Sequence, residues 1–368
     1  MEHTKPPFRA DHVGSLLRSA KLKDARAKRE RGELGAADLE AIEDIEIRAL
    51  IAKEEAVGLQ SITDGEYRRA WWHYDFLAGL DGVELVTVEQ GLQFAGIQTK
   101  SQGPRVTAKI DSLAHPMVEH FRFLAQNTKR TPKMTIPSPT ALHYRGGRKA
   151  VSMTAYRDMD AFFHDLGEAY RKVIAQFAAA GCTYLQLDDV FLAYLCDPDQ
   201  RQMLRDRGDD PDALPQTYAD LINRALAGKP ATMVNTMHLC RGNFRSSWVA
   251  QGGYEPIAEL LFNAIDIDAY FMEFDTERAG GFEPLRFLPK HKKAVLGLVT
   301  SKTGGLEAKD DLKRRIEEAA KFASLDQLCL SPQCGFASTE EGNLLTEEQQ
   351  WAKLALVVEV AAEVWGAA

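Results

Sequence analysis

Strand-like and helix-like runs alternate from one end of this chain to the other, and that rhythm restricts the fold more than any other property of the sequence. The candidate strands are 8–15 (FRADHVGS), 59–66 (LQSITDGE), 133–139 (KMTIPSP), 183–190 (TYLQLDDV), 231–240 (ATMVNTMHLC), 269–275 (AYFMEFD), 294–300 (AVLGLVT) and 327–334 (QLCLSPQC). Between them lie segments with apolar residues at helical spacing, among them 36–57, 158–180, 216–227, 256–264, 307–323 and 346–365. Eight such units predict an α/β fold closed as a (β/α)8 TIM barrel rather than an open doubly wound sheet. One stretch breaks the repeat. Residues 81–110 alternate apolar and polar residues with Gly and Pro punctuation, which predicts a β-hairpin inserted after the second strand and placed to cover the barrel mouth.

A chain of 368 residues with 45% hydrophobic content fits one large barrel or two ordinary domains. No low-complexity linker or shift in composition marks a boundary, so a single domain over 1–368 is expected. The net charge of −8 argues against nucleic acid or an anionic membrane as partner, because both demand a basic face. A small-molecule substrate is the expectation. The N-terminus, MEHTKPPFRADHVGS, has no basic segment followed by an apolar stretch and a cleavage site, and no apolar run reaches the roughly 18 residues of a membrane span. A cytoplasmic protein is expected. Five cysteines at irregular spacing suit reduced thiols and a metal site better than a disulfide framework.

Polar residues crowd the C-terminal ends of the strand-like runs: His12 and Ser15, Asp64 and Glu66, Asp188 and Asp189, His238 and Cys240, Glu273, Thr300 and Cys334. In a barrel those ends converge on one mouth, where such folds place their chemistry. Four of these residues are competent metal ligands. His238 and Cys240 are two apart in an extended run, so they leave the same face, although a lone His-x-Cys is as often a buried polar group beside a core thiol. Glu273 lies inside an apolar run, where a carboxylate needs either a metal or an Arg or Lys partner. Cys334 stands between Pro332 and Gly335, in a turn where a thiol has little packing value. Together the four read as a Zn(II) site that could take a substrate thiol and hold it as thiolate. Cys182, Cys196 and Cys329 read as ordinary buried thiols.

The order His-x-Cys, then Glu on the next strand, then Pro-x-Cys-Gly on the last, together with ADHVGSLLR, TDGEYRR and YLQLDD, resembles the catalytic barrel of cobalamin-independent methionine synthase. The match is closest to the short single-barrel group often labelled methionine synthase II. The resemblance covers essentially the whole chain and implies a homocysteine methyltransferase with zinc bound by His238, Cys240, Glu273 and Cys334. It further implies that His12 and Ser15 lie in the loop receiving the amino-acid carboxylate, and that Glu66 and Asp188 receive the ammonium. Read from the residues alone, Ser15 is equally a turn cap, and the two carboxylates are equally partners for structural arginines. Asp189 replaces the glutamate usual in the family's Asp-Glu pair, and Asp64 stands beside the site.

Two departures concern the methyl donor. No second barrel, with which the full-length synthase helps hold folate, is expected in 368 residues, and the stretch GLVTSKTGG has no histidine where that family places its proton donor. Trp71 and Trp72 offer flat surfaces for a pterin or corrin, with plugging of the mouth the simpler reading. His73 is either an acid for the donor or a satisfied polar residue, and Ser138 in TIPSPT is a candidate lining residue of the donor pocket. The expected reaction moves a methyl group from methyltetrahydrofolate or another donor to the homocysteine sulfur. The alternatives are zinc-dependent alkylation of another thiol, with an epoxide or a corrinoid-linked methyl, and a non-catalytic zinc-binding barrel.

Overall fold

The computed structural model describes residues 5–88, 92–99 and 101–366. Six strands form one parallel sheet: β1 (Met134–Pro137), β2 (Tyr184–Asp188), β3 (Val234–Leu239), β4 (Ala269–Glu273), β5 (Lys293–Val299) and β6 (Leu328–Pro332). Each pairs with its neighbours in sequence, so the sheet runs in unbroken chain order from β1 to β6. Parallel neighbours require crossovers, and helices supply most of them. Met159–Ala179 follows β1, Leu214–Leu226 follows β2, Ala258–Ala264 follows β3, Lys309–Ala319 follows β5 and Glu347–Trp365 follows β6. Between β4 and β5 two short 3-10 turns, Glu277–Ala279 and Glu283–Phe287, take the place of a helix.

The sequence chemistry accounts for these elements. In Met159–Ala179 the residues Phe162, Leu166, Tyr170, Val173 and Phe177 recur at three- or four-residue spacing and are buried, while the Asp158 carboxylate caps the first turn. Glu347–Trp365 starts at a reciprocal capping box of Thr346 and Gln349 and ends at Gly366 in the left-handed region. Strands β1, β2, β4 and β6 are buried at every position, which explains why they read as apolar runs without alternation. At Gly297 in β5 a side chain would meet the Met272 carbonyl oxygen at 2.7 Å, so glycine permits the close approach of β4.

Among the described residues the main-chain ladder unites six parallel strands, not the eight expected. Residues 8–15 contribute one parallel bridge, Ala10 to Leu330, and residues 59–66 contribute Ser61–Ile62, paired with Thr131–Pro132. Side chains capture much of the backbone of the first of these segments. Gln186 donates to the Val13 carbonyl at 2.7 Å and Thr63 to that of Gly14 at 2.7 Å, while Lys133 donates to that of His12. The Asp11 carboxylate accepts the main-chain N–H groups of Phe8 and His12.

The insertion over 81–110 is an antiparallel pair, Asp81–Thr87 with Gln102–Asp111, and Gln93–Phe94 pairs with Ile97–Gln98 beyond it. Residues 89–91 and 100, within the same stretch, lie outside the described residues. Phe94 packs with Trp71, Tyr74 and Phe244, and the Ala95 N–H donates to the Trp248 carbonyl at 2.8 Å. That places the insertion against the loop following β3. Among the described residues no helix is long and apolar enough to cross a membrane.

Candidate metal centre and substrate pocket

His238 and Cys240 leave the end of β3 on one face, and Cys334 reaches the same point from the loop after β6. Their ligand atoms all lie within 4.8 Å of one another, and all three residues are buried. Two thiolates bound to a tetrahedral zinc at about 2.3 Å stand about 3.8 Å apart; the sulfurs of Cys240 and Cys334 are 3.8 Å apart. Among the described residues neither ring nitrogen of His238 meets a partner in hydrogen-bond geometry, although the Cys334 sulfur is near enough to raise its pKa, and a buried imidazole tolerates this poorly unless something else takes the lone pair. Donor chemistry and spacing therefore fit Zn(II). The hydrogen bond between the Cys334 and Cys240 sulfurs holds Cys334 well below the usual thiol range against the effect of burial, with His238 and Lys302 acting the same way. The same bond, with burial, pushes Cys240 well above it.

Glu273 lies at the end of β4, and its carboxylate is engaged elsewhere. The Arg241 N–H donates to it at 2.7 Å, Arg278 pairs with it, and the Lys302 ammonium is 3.5 Å away. Burial works to raise its pKa, but Lys302, Arg241 and Arg278 outweigh it and hold the group at about 2. The Arg or Lys partnership weighed from the sequence is thus what the structure displays, and the fourth expected ligand stands outside the His-Cys-Cys group.

A cavity opens over the three ligands, lined among others by Ser15, Glu66 and Asp188. Glu66 adopts φ 60°, a strained conformation for a non-glycine residue. It is held there by the Asp64 carboxylate on its N–H at 2.9 Å and by Arg18 on its carbonyl at 2.7 Å. One carboxylate oxygen accepts from Thr135 at 3.1 Å; the other is buried without a partner. Burial raises Glu66 to about 7, with Asp188 adding to the effect and Arg69 and Arg18 opposing it. Burial likewise raises Asp188 to about 6, against His238 and the Gln186 amide. Two acids that resist ionisation can each pair with a cation that enters the cavity.

Ser15 meets the ligand loop directly. Its carbonyl accepts from the Phe336 N–H at 2.9 Å, and a Cβ on Gly335 would fall 1.8 Å from its hydroxyl. Trp72 also lines the cavity, whereas Trp71 lies behind it, stacked on Tyr74 at 5.2 Å. The remaining candidates stand apart from the cavity. His12 turns towards Ser61 and Glu54, at 3.1 and 3.3 Å, and burial followed by Lys133 lowers it to about 4. His73 is enclosed by Trp72 and Tyr74 with both ring nitrogens unpartnered, and burial, then Arg145, push it well below the usual imidazole range. Ser138 joins Thr140 and the Asp188 carbonyl, and Asp189 caps the turn at Phe191 and Leu192.

Three contributors escaped the sequence reading. Phe94 of the insertion and Arg145 both line the cavity, and Asn243 ties the two ligand loops together by donating to the Gly335 carbonyl at 2.8 Å. None lies at the end of a strand, and only the closeness of Asn243 to Cys240 could have drawn notice.

Residues 8–363 match the family model of the cobalamin-independent synthase catalytic domain. The chain is 52% identical over 363 residues to the protein YxjH of Bacillus subtilis, covering 98% of this chain and 96% of that one. It is 22% identical over 352 residues to a methionine synthase of Saccharolobus solfataricus, covering 94% and 92%. A crystal structure from Listeria monocytogenes, provisionally described as a vitamin-B12 independent methionine synthase, superposes with a TM-score of 0.79 at 43% identity over 98% of both chains.

Proposed function

The chain belongs to the cobalamin-independent synthase catalytic-domain family, and from that membership we propose that it is a zinc-dependent thiol methyltransferase converting homocysteine to methionine. The observation that carries this reading is the convergence of His238, Cys240 and Cys334 beneath a cavity whose wall holds Glu66 and Asp188. A zinc ion at those three residues would favour the deprotonated form of an incoming thiol, so no strong protein base is needed at neutral pH. Glu66 and Asp188 receive the α-ammonium, and Ser15 with its loop receives the carboxylate. Held by both ends, the amino acid presents its sulfur at the cavity floor. An S–C bond then forms as the donor's bond to the methyl breaks, the leaving group keeping the bonding pair. Trp72 and Phe94 exclude water from that step.

The scaffold is read as a single closed (β/α)8 barrel. Support comes from Leu330, whose N–H and carbonyl bond Arg9 and Asp11 at one sheet edge, and from the Ser61–Thr131 pairing at the other. Methyltetrahydrofolate is one donor compatible with the reading. Zinc-replete protein should form methionine from homocysteine with at least one of methyltetrahydrofolate bearing one or several glutamates, methylcobalamin and S-methylmethionine. Cys334→Ser should abolish that turnover along with stoichiometric zinc. Product from none of the donors, or zinc-free protein with full activity, would sink the proposal.

A further inference from the structure

Arg145 ends the helix Thr140–Gly146 with a charge that no acid answers. Among the described residues no carboxylate pairs with it and no acceptor takes one of its N–H groups, and its Nε is buried without a partner. The guanidinium lies over the Phe191 ring at 4.9 Å, which positions the charge without neutralising it. Its place is a junction. Arg145 lines the cavity above His238, Cys240 and Cys334, and it also lines a second groove, between the insertion and residues 145–150. Tyr74, Val86 and Pro104 give that groove an apolar wall, while Arg105 on Gln102–Asp111 and Lys149 on the turn Gly147–Ala150 stand exposed along it. Among the described residues that line the groove there is no Asp or Glu. Glu84, opposite Arg105 in the strand pair, accepts from the Thr107 hydroxyl at 3.1 Å. Cations are thus gathered here on a chain whose net charge is −8, and such a local reversal of sign draws in anions.

We propose that this groove is an anion subsite joined to the metal cavity, and that it takes the carboxylates or phosphates on the tail of the methyl donor. Arg145 holds the group nearest the reacting methyl, and Arg105 and Lys149 hold those further out. The inference rests on the methyl-transfer reading above, in which the Ser15 loop takes the carboxylate of the amino acid and leaves Arg145 to the second substrate. A guanidinium suits the junction because its planar fork pairs with a carboxylate or phosphate through two N–H bonds, whereas the Lys149 ammonium acts as a point charge. The donor class that follows is an elongated molecule, its head against Trp72 and Phe94 in the cavity and its tail bearing more than one anionic group. A small sulfonium such as S-methylmethionine has no tail to reach the groove.

Calorimetry at low ionic strength with γ-linked triglutamate and with tripolyphosphate tests the groove without turnover. Wild type should bind at least one of them, and the tighter of the two identifies the tail as carboxylate or phosphate. Arg145→Met and the surface variant Arg105→Ala/Lys149→Ala should each weaken that binding about tenfold. Lys290→Ala/Lys321→Ala removes as much charge from exposed positions outside the groove and should stay within about twofold of wild type. If triglutamate is the tighter probe, methyltetrahydrofolate with several glutamates should have a lower KM than the form with one, and Arg105→Ala/Lys149→Ala should close that gap. No binding of either probe to wild type, or equal weakening by the Lys290 and Lys321 pair, would overturn the subsite even if methionine forms. Methionine from none of the donors, with probe binding and its loss in the variants as expected, would strike the methyl-transfer reading and leave the groove standing.

Discussion

At the scale of single residues, Glu66 and Gly335 show how the pocket is set. Glu66 is raised to about 7 from an ordinary 4.5, so the proton there is partly retained at neutral pH. A folded-state pKa raised above the unfolded one means the folded protein binds more protons between those values. Stability contributed by this acid is therefore present below 4.5 and lost as pH rises through 7. An ammonium ligand reverses the preference, because it pairs with the carboxylate. Homocysteine binding should release a proton near neutrality, and its KM should rise as pH falls from 8 to 6, an effect Glu66→Gln should flatten. Calorimetry in buffers of different ionisation enthalpy counts the protons released, that of the thiol included; a Glu66→Gln variant that releases as many as wild type would remove Glu66 from the ammonium site. Gly335 makes a second case. Its absent Cβ leaves room for the Ser15 hydroxyl, which would otherwise be 1.8 Å away. Gly335→Ala is expected to destabilise the protein by about 1–3 kcal/mol through overpacking. Ser15→Ala in the same chain should return part of that, as read by urea unfolding.

At the scale of elements, the helices and the six parallel strands were legible because their residues obey a period: Phe162, Leu166 and Tyr170 announce a buried helix face, and AYFMEFD an inner strand. His238, Cys240 and Cys334 were legible because the sheet delivers strand ends to one place. Glu273 shows where that logic stops. Its position was readable, but its partners Arg241, Arg278 and Lys302 come from three loops whose paths no local pattern records. The insertion was visible as a departure from the repeat, yet the reach of Phe94 into the cavity depends on how its tip packs against Phe244 and Trp248. That contact joins the insertion to the loop leaving Cys240. Phe94→Ala should therefore loosen the insertion without touching the main core, raising the KM for homocysteine about tenfold, which corresponds to roughly 1.4 kcal/mol. Urea unfolding should keep its midpoint. A variant with unchanged KM would show that Phe94 is only packing.

At the scale of the whole molecule, the question is what joins the first segments of the chain to a sheet whose ladder they barely enter. Residues 8–15 and 59–66 read as strands because they are apolar and end in polar residues, but backbone groups of the first are claimed by side chains such as Gln186 and Thr63. Sequence periodicity says nothing about such captures, so six ladder strands were foreseen as eight. The join is ionic. Asp11 and Lys133, both fully buried, lie 3.2 Å apart, and Asp11 also accepts from Tyr184 at 2.8 Å and Ser61 at 2.8 Å. Lys133 in turn donates to the His12 carbonyl and lies over the Phe271 ring at 4.0 Å. One pair thus connects residues 8–15, the Ser61–Ile62 segment, the start of β1, β2 and β4. Removing one member leaves the other charged and buried, which typically destabilises by about 3–5 kcal/mol. Lys133→Met should lose that much in urea unfolding, whereas Asp11→Asn/Lys133→Met, with no stranded charge, should recover a large part. A single variant within 1 kcal/mol of wild type would mean that apolar packing alone, through Val13 against Phe271, Val295 and Cys329, holds the first segment in place.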